Sequence, residues 1–143
     1  LQEADWYAFN DNFGTSEEKA LVSYFRQYVS ELQQKYDKVF LIRNERQLHL
    51  YSFEDGQRFE PDYIIYLWKK DKVCSEQIIV FVEPKGTHLL EAESWKEKFL
   101  LQLEKRAVPT LVFKDDNKYK IWGFHFFNRE NRSVEFADDM KRL

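Results

Sequence analysis

Two short segments with acidic side chains lie at the ends of neighbouring apolar runs. Pro61-Asp62 precedes one run, and Glu83-Pro84-Lys85 follows the next. Two carboxylates and a lysine at the tips of adjacent strands suit metal-dependent cleavage of a phosphodiester. The carboxylates can bind a hard divalent cation, and the lysine can act on the attacking water. The spacing therefore predicts a hydrolytic site that two strands build together.

Each of these residues also has a plainer interpretation. Asp62 in a Pro-Asp pair is common in turns, and Glu83 with Lys85 can form a structural ion pair. Glu83 argues more strongly for function, because an ionised carboxylate at the end of a buried apolar strand is costly unless it is paired or bound to a metal. Pro84 lacks an N–H, so it either ends the strand or distorts it and frees its carbonyl to bind a metal. We favour the metal site.

The size and composition of the chain predict one domain. Its 143 residues are 43% hydrophobic and 17% aromatic, which is enough for a core. No apolar run is long enough to span a bilayer, so we expect no membrane partner. A lone cysteine, Cys74, favours a reducing, cytoplasmic setting. The start, Leu1-Gln2-Glu3, is neither an initiator methionine nor a signal peptide, so we expect residues 1–143 to be excised from a larger protein.

The charge of the chain limits how it can bind nucleic acid. The net charge is −3 and the isoelectric point is about 5.7, whereas nucleic-acid-binding domains are commonly basic on one face. We therefore expect weak DNA binding by this domain alone, with other domains or subunits supplying affinity. The charge does not exclude a nuclease, because metal-binding carboxylates themselves add negative charge. The sequence has no glycine-rich phosphate loop, so we expect no ATP site.

The helices that would position these residues follow from apolar periodicity. Residues 15–36 form the clearest helix, and residues 89–106 contain a second. Both carry a capping-box pattern near the start. The two pairs are Thr15 with Glu18 and Ser94 with Glu97. Pro109 is expected to end the second helix.

Strands fill most of the remaining chain. The predicted strands are 38–42, 47–53, 62–68, 78–82, 110–113 and 119–127. Turns are predicted at 54–56, 69–72 and 115–117. No element is assigned after residue 127. The order of helix, strands, helix and strands predicts an α/β fold, with a mixed central β-sheet flanked by α-helices.

Three strings around the two motifs resemble a known nuclease family. The strings are FGTSEEKALV at 13–22, FEPDYIIYL at 59–67 and FVEPKGTHLLEAESWKEKFL at 81–100. The motif pair resembles the PD-(D/E)xK nuclease superfamily, and the longer strings are similar to the C-terminal endonuclease domain of the restriction subunit of type III restriction enzymes. This resemblance covers about residues 9–114 and implies a restriction-endonuclease-like fold.

The resemblance also implies a role for each residue of the motif. Asp62 and Glu83 would bind Mg²⁺, or Mn²⁺ in its place, with the backbone carbonyl of Pro84 as a further ligand. Lys85 would orient or help deprotonate the attacking water and steady the charge on the phosphate. These four residues are the predicted centre of catalysis.

Residues outside the motif are additional candidates. Many members of the superfamily place a glutamate on the first helix, where Glu18 or Glu17 would join the catalytic group. Glu18 is equally well explained by the capping box. His88 could touch a phosphate, although a loop histidine is more often surface. The candidates for contact with the DNA backbone, on what is more commonly a solvated helix face, are Lys98, Gln102 and Lys105.

Other residues that could do chemistry receive no functional role. Three tryptophans are predicted to be core residues rather than base-stacking platforms: Trp68, Trp95 and Trp122. Neither His49 nor His125 has a partner in view. Cys74 has no zinc-ligand spacing with a histidine.

The predicted function is the cleavage module of a type III restriction enzyme, a Mg²⁺-dependent endodeoxyribonuclease acting on double-stranded DNA in a prokaryotic cytoplasm. By the resemblance, an N-terminal helicase or translocase domain of the same subunit uses ATP, and a modification methyltransferase subunit reads the sequence. Two alternatives stay open. One is a nuclease of the same superfamily fused to another repair or defence helicase, and the other is a non-catalytic DNA-docking or assembly module.

Overall fold

The computed structural model describes residues 5–7, 15–45, 48–71, 74–106, 111–113 and 117–143. The helices within these ranges are α1 (Ser16–Lys35), α2 (Ser94–Arg106) and α3 (Ser133–Lys141). The strands are β1 (Lys38–Arg43), β2 (Leu50–Tyr51), β3 (Arg58–Phe59), β4 (Tyr63–Lys70), β5 (Ser75–Val82), β6 (Leu111–Phe113) and β7 (Asn117–Gly123). None of the described helices has an apolar stretch long enough to cross a bilayer.

Five strands form one mixed sheet in the order β1-β4-β5-β7-β6. Strands β1, β4 and β5 are antiparallel neighbours, β5 and β7 are parallel, and β6 is antiparallel to β7. The parallel pair requires a crossover, and α2 lies in the connection between β5 and β7. Strands β2 and β3 form a separate two-stranded sheet. The prediction of a mixed α/β sheet with helices is confirmed.

The side chains of the central strands alternate between two buried faces. On β4, Tyr63 and Ile65 belong to the core that includes α1 and α3, whereas Ile64 belongs to the core that includes α2. Strand β5 alternates in the same way, with Val80 and Phe81 on opposite faces. The sheet is therefore a middle layer that helices cover on both sides. Its edge, where the strands end, is free to carry polar side chains.

The first predicted capping box is confirmed and the second is wrong. At α1, the Thr15 N–H donates to Glu18 Oε2 at 2.6 Å, and Thr15 Oγ1 accepts from the Glu18 N–H at 3.3 Å. At α2, Ser94 is itself the first helical residue. The Glu97 carboxylate instead accepts from the backbone N–H of Phe126 at 2.9 Å. The Glu97 carboxylate, which the local pattern assigned to the cap, therefore satisfies a buried backbone N–H from another part of the chain.

Several predicted boundaries also differ. The strand predicted over 47–53 shortens to β2, which pairs with β3, a strand the sequence did not indicate. Strand β4 continues through Lys70, because its pairing with β5 continues to Ser75. The chain turns only after Lys70, where the Asp71 N–H donates to the Cys74 carbonyl at 2.8 Å. The chain from 87 to 93 forms a 3₁₀ turn, Thr87–Leu89, and further turns before α2 begins.

The C-terminal part of the chain differs most from the prediction. Strand β7 ends at Gly123 rather than at 127. Helix α3 was not predicted, and it is short and places Phe136 and Met140 in the core. The predictions that Pro109 ends α2 and that residues 115 and 116 form a turn lie outside the described residues.

Candidate active site

The pairing of β4 with β5 brings the two predicted carboxylates together. Tyr63, the first residue of β4, is opposite Val82, the last residue of β5, so Asp62 and Glu83 are neighbours at one edge of the sheet. The backbone N–H of Asp62 donates to Glu83 Oε1 at 2.9 Å. The two carboxyl groups also hydrogen-bond to each other. Antiparallel register thus accounts for a contact between residues 21 positions apart.

The positive charge near this carboxyl pair does not offset the cost of burying it. Burial, and then the charge of Asp62, raises the pKa of Glu83 to about 8, and Glu83 is only 3% exposed. Burial also raises the pKa of Asp62; the hydrogen bond to Glu83 opposes this, and the charge of Glu18 adds to it. Two adjacent carboxylates cannot both ionise cheaply at a buried position. The pair therefore holds a proton near neutral pH unless a cation neutralises it.

Lys85 completes the group that the sequence predicted. Its Nζ lies 3.2 Å from Glu83 Oε2, and Nζ also binds the carboxylate of Glu93. Burial lowers the pKa of Lys85, but the hydrogen bond to Glu93 and the charge of Glu83 outweigh it and raise the pKa above its usual value. The side chain is therefore an ammonium group, 8% exposed, at the same edge of the sheet as Asp62.

Strand β5 ends at Val82, and Pro84 forms an isolated parallel bridge with Phe127 beyond that end. The Phe127 N–H donates to the Glu83 carbonyl at 2.9 Å, and the Lys85 N–H donates to the Phe127 carbonyl at 3.0 Å. Because strand carbonyls alternate in direction, the Pro84 carbonyl points away from Phe127, toward the side on which β4 lies. No backbone N–H among those in the described turns and loops donates to it. This arrangement supports the interpretation that the carbonyl is available to a cation.

Of the two glutamates on α1, Glu18 is the one that acts on the motif. Glu18 Oε1 lies 3.6 Å from Arg43, and its charge raises the pKa of Asp62 after the larger effect of burial. Glu17 turns toward Arg129, with 3.6 Å between Oε1 and the guanidinium. Its Oε2 is buried, and no hydrogen-bond partner is found for it among the described residues. Glu18 therefore combines capping with a position beside Asp62.

The remaining candidates lie apart from the carboxylates. His88 is exposed in the 3₁₀ turn, with its ring against Gly86. Lys98 and Lys105 are exposed on α2, and Gln102 is half-buried there. Among the described residues, no contact joins these three to the motif, so they stay predictions of DNA contact.

Two of the three tryptophans pack against the core as predicted. Trp95 and Trp122 lie half-buried against the two cores. Trp68 is half-buried under Lys38 instead, with its ring centroid 5.1 Å from the lysine Nζ. The prediction of a core position is therefore wrong for Trp68, because it lies near the end of an edge pair of strands where a charged side chain can cover it.

Glu93, Lys96 and Asn128 are site neighbours that the sequence reasoning missed. Glu93 Oε1 binds Lys96 Nζ at 2.6 Å, while its Oε2 binds Lys85. Asn128, only 1% exposed, donates to the Lys85 carbonyl at 2.8 Å, and its Oδ1 accepts from two backbone N–H groups. The spacing of Glu93 and Lys96 is the one local signal, since side chains three apart can pair near a helix start.

The segment 124–127, which follows β7, is held in place because each of its backbone N–H groups donates a hydrogen bond. The N–H groups of Phe124 and Phe127 donate to the carbonyls of Phe81 and Glu83. Between them, the His125 N–H donates to Asp139 at 2.8 Å, and Phe126 donates to Glu97. The His125 ring nitrogen Nδ1 also lies 2.8 Å from Asp139, so this histidine has the partner that the sequence did not show. The irregular segment that pairs with Pro84 is thus fixed in place.

The donor set fits Mg²⁺ better than a metal that needs several side chains. No group of three or more His, Cys, Asp or Glu side chains suited to a metal ion occurs in the part of the chain that the structure describes. Mg²⁺ characteristically keeps several waters and uses only one or two carboxylates. Asp62 and Glu83, with the Pro84 carbonyl, provide that number of ligands. Burial raises the pKa values of both carboxyls, and a cation bound between them would favour their ionised forms.

Comparisons with known proteins give a family without a stated activity. The family described as HI_1054_C, a C-terminal domain, matches residues 1–142. An uncharacterized protein of Haemophilus influenzae is 36% identical over 136 residues, which cover 90% of this chain and 29% of that protein. The chain thus spans less than a third of that relative's length. No solved structure shows a significant match. Neither match names an activity, so the resemblance to PD-(D/E)xK nucleases stays a prediction.

Proposed function

The chain belongs to the HI_1054_C family of C-terminal domains, and we propose that it is a Mg²⁺-dependent endonuclease domain that hydrolyses phosphodiesters of double-stranded DNA. The observation that carries this proposal is the buried group of Asp62, Glu83 and Lys85 at one edge of the sheet. Two carboxyls with raised pKa values beside an ammonium group suit a cation-dependent hydrolase better than a structural ion pair. A simple ion pair would need only one of the carboxylates.

The arrangement of the elements supports a restriction-endonuclease-like fold. Helix α1 precedes an antiparallel set of β1, β4 and β5, and α2 then crosses over to β7, which is parallel to β5. The catalytic candidates come from the start of β4 and the end of β5, at one edge of the sheet. Glu18 lies at the start of α1, and its charge contributes to the raised pKa of Asp62. We include Glu18 in the catalytic group for that reason.

The chain's own residues have distinct parts in the proposed reaction. Asp62, Glu83 and the Pro84 carbonyl would hold the cation, which supplies positive charge that stabilises the scissile phosphate and the leaving oxygen. Lys85 keeps its proton at neutral pH, since Glu93 and Glu83 raise its pKa against the effect of burial. It therefore orients the attacking water and stabilises charge on the phosphate as a hydrogen-bond donor, and does not itself accept the water's proton.

The larger assembly is also part of the proposal. We place this domain at the C-terminal end of a type III restriction subunit, with an ATP-dependent helicase or translocase domain before it and a methyltransferase subunit as partner, in a prokaryotic cytoplasm. The name of the matching family as a C-terminal domain and the greater length of the relative agree with a module of a longer protein. The net charge of −3 agrees with DNA being delivered by those other parts.

The test compares cleavage and cation binding in matched variants. Asp62→Asn, Glu83→Gln and Lys85→Met are expected to lower DNA cleavage by the complete protein about 100-fold or more, with Mg²⁺ or Mn²⁺ present. Any ATPase activity of the complete protein should be unchanged. Glu54→Gln is the control, because Glu54 is exposed in a turn and the substitution changes the net charge by the same amount as Glu83→Gln.

Calorimetric titration with Mn²⁺ separates the nuclease from a docking module. Wild-type chain should bind Mn²⁺, and Asp62→Asn should bind it much more weakly. Undiminished cleavage by Asp62→Asn or Glu83→Gln would contradict the nuclease mechanism. Absence of both Mn²⁺ binding and cleavage in the wild-type protein would favour a non-catalytic DNA-docking role.

A further inference from the structure

The lysine of the site is shared between two carboxylates, and only one of them belongs to the predicted motif. Lys85 Nζ contacts Glu83 Oε2 at 3.2 Å and also binds Glu93 Oε2. Glu93 lies in the turn immediately before α2, eight residues after Lys85. The hydrogen bond to Glu93 is the largest of the effects that raise the pKa of Lys85, and Glu93 lies outside the cation-binding pair.

Glu93 is itself held by a second lysine. Its other oxygen, Oε1, binds Lys96 Nζ at 2.6 Å, so each oxygen of the carboxylate has one ammonium partner. Lys96 Nζ in turn lies 5.4 Å from the ring centroid of Phe59. Both hydrogen bonds and charges lower the pKa of Glu93 against the effect of burial, so this carboxylate is ionised. Its two oxygens are occupied, and it does not act as a third ligand for the cation.

The position of Lys85 is fixed at the backbone as well. Its N–H and carbonyl are bound by Phe127 and Asn128, and its Nζ lies 5.5 Å from the ring centroid of Phe126. Its backbone is therefore pinned, and one side of its side chain is covered by an aromatic ring. If Glu93 were absent, the anionic groups left near the ammonium would be those of the cation-binding pair: Glu83, 3.2 Å away, and Asp62, whose pKa the charge of Lys85 lowers.

We infer that Glu93 is a positioning residue that holds the ammonium group of Lys85 beside the site and so leaves the Glu83 carboxylate free to bind the cation. This inference rests on the proposed function. Without Glu93, Lys85 pairs with the carboxylates of Glu83 and Asp62 and competes with the cation for their oxygens. Residues that orient the ligands of a metal commonly change affinity or activity 10- to 100-fold when they are replaced.

The experiment measures Mn²⁺ affinity by calorimetry and DNA nicking in Glu93→Gln and Glu93→Asp. Glu93→Gln removes the charge, whereas Glu93→Asp keeps the charge but withdraws it by one methylene. Both are expected to lower Mn²⁺ affinity and nicking about 10- to 100-fold. Glu91→Gln is the control, because Glu91 is exposed two residues earlier and its substitution removes the same charge. It should remain within about twofold of wild type.

Testing Glu93→Gln in a Lys85→Met background shows whether Glu93 acts by positioning Lys85 or by its own charge on the cation. If Glu93 acts through Lys85, then Glu93→Gln causes no further loss of Mn²⁺ affinity in Lys85→Met. An equal loss in both backgrounds overturns the inference, since Glu93 would then act on the cation only through its charge. Wild-type behaviour of both Glu93 variants, with Lys85→Met still inactive, also overturns it and leaves the proposed function standing. A wild-type protein that neither binds Mn²⁺ nor nicks DNA overturns both.

Discussion

The side-chain amide of Asn128 donates a 2.8 Å hydrogen bond to the carbonyl of Lys85, 43 residues earlier in the chain. The same amide donates to Thr87 Oγ1 at 3.1 Å, and Oδ1 accepts from the N–H groups of Glu130 and Asn131. One buried side chain thus ties the backbone of the candidate catalytic lysine to the turn before α3. The position of Lys85 depends on this turn as well as on its own strand.

Asn128→Ala is expected to destabilise the chain and to weaken cleavage. The substitution leaves a buried carbonyl and two backbone N–H groups without their partner, which costs about 1–3 kcal/mol of unfolding free energy. Denaturant unfolding measures the stability, and plasmid nicking at a temperature where the variant stays folded measures the site. Asn131→Ala is the control, because Asn131 is exposed and its amide donates to the hydroxyl of Thr87 at the surface. Equal stability of the two variants would contradict the anchoring role.

The raised pKa of Glu83 predicts how stability changes with pH in the absence of a divalent cation. Its pKa is about 8 in the folded chain and 4.5 ordinarily, so between these values the folded chain holds a proton that the unfolded chain has lost. The contribution of Glu83 to stability is therefore complete at pH 4.5 and below, and it is lost as pH rises to 8. The loss is at most about 1.4 kcal/mol per pH unit.

Thermal unfolding of wild type and Glu83→Gln across pH 5 to 9 tests this linkage. The glutamine keeps an acceptor for the Asp62 N–H but does not titrate, so the stability of the variant relative to wild type should increase with pH. Mg²⁺ should oppose the alkaline loss in wild type and have little effect in Glu83→Gln. Parallel pH profiles for the two proteins would show that Glu83 titrates at its ordinary value.

The sequence predicts the centre of the site better than its surroundings. Asp62 and Glu83 meet because they lie at the facing ends of paired strands, and both strands and the turn between them are visible in local patterns. Glu93 and Asn128 depend on where distant parts of the chain pack, which no local pattern records. At Glu97 the capping-box spacing was misleading, because the buried N–H of Phe126 required an acceptor.

Helix α3 illustrates the same limit on the scale of an element. It has only nine residues, which is too short for a helix to be stable on its own propensity. Its stability comes from placing Phe136 and Met140 in the core shared with α1. The sequence contains the apolar spacing of four, but the partner surface that makes the spacing effective is assembled only in the folded chain.

Arg132→Met is expected to destabilise the chain by leaving Glu97 buried without its guanidinium. The guanidinium Nε lies 2.9 Å from Glu97 Oε2, and the same oxygen accepts from Phe126. Burial raises the pKa of Glu97, but Arg132 and the Phe126 N–H together lower it below its ordinary value. Loss of the charged partner should cost about 1–3 kcal/mol.

The pH dependence of the same variant provides the check. Because the pKa of Glu97 is lowered in the folded chain, its contribution to folding stability is fully present above its ordinary pKa. This contribution is lost as pH falls through the lower pKa of the folded state. Wild type should therefore lose part of its stability on acidification, and Arg132→Met should lose less over the same range. The control is Arg129→Met, since Arg129 is exposed and lies 3.6 Å from Glu17. An Arg132 variant as stable as the Arg129 variant would contradict a structural role for the pair.

Gly123→Ala tests how closely α2 packs on the sheet. A Cβ atom at Gly123 would lie 2.2 Å from the carbonyl oxygen of Leu100, a backbone atom of α2 that can move only with the helix. Overpacking of this kind costs about 1–3 kcal/mol of unfolding free energy. A shift of α2 would also move its first turn, which Glu93 precedes and contacts through Lys96. We therefore expect a lower unfolding midpoint together with reduced Mn²⁺ affinity. The control is Gly86→Ala, where a Cβ would meet only the exposed ring of His88, a side chain that can turn away. If Gly123→Ala proved no less stable than Gly86→Ala, the close approach of α2 to β7 would be contradicted, and with it the rigid support for Glu93 that this approach provides.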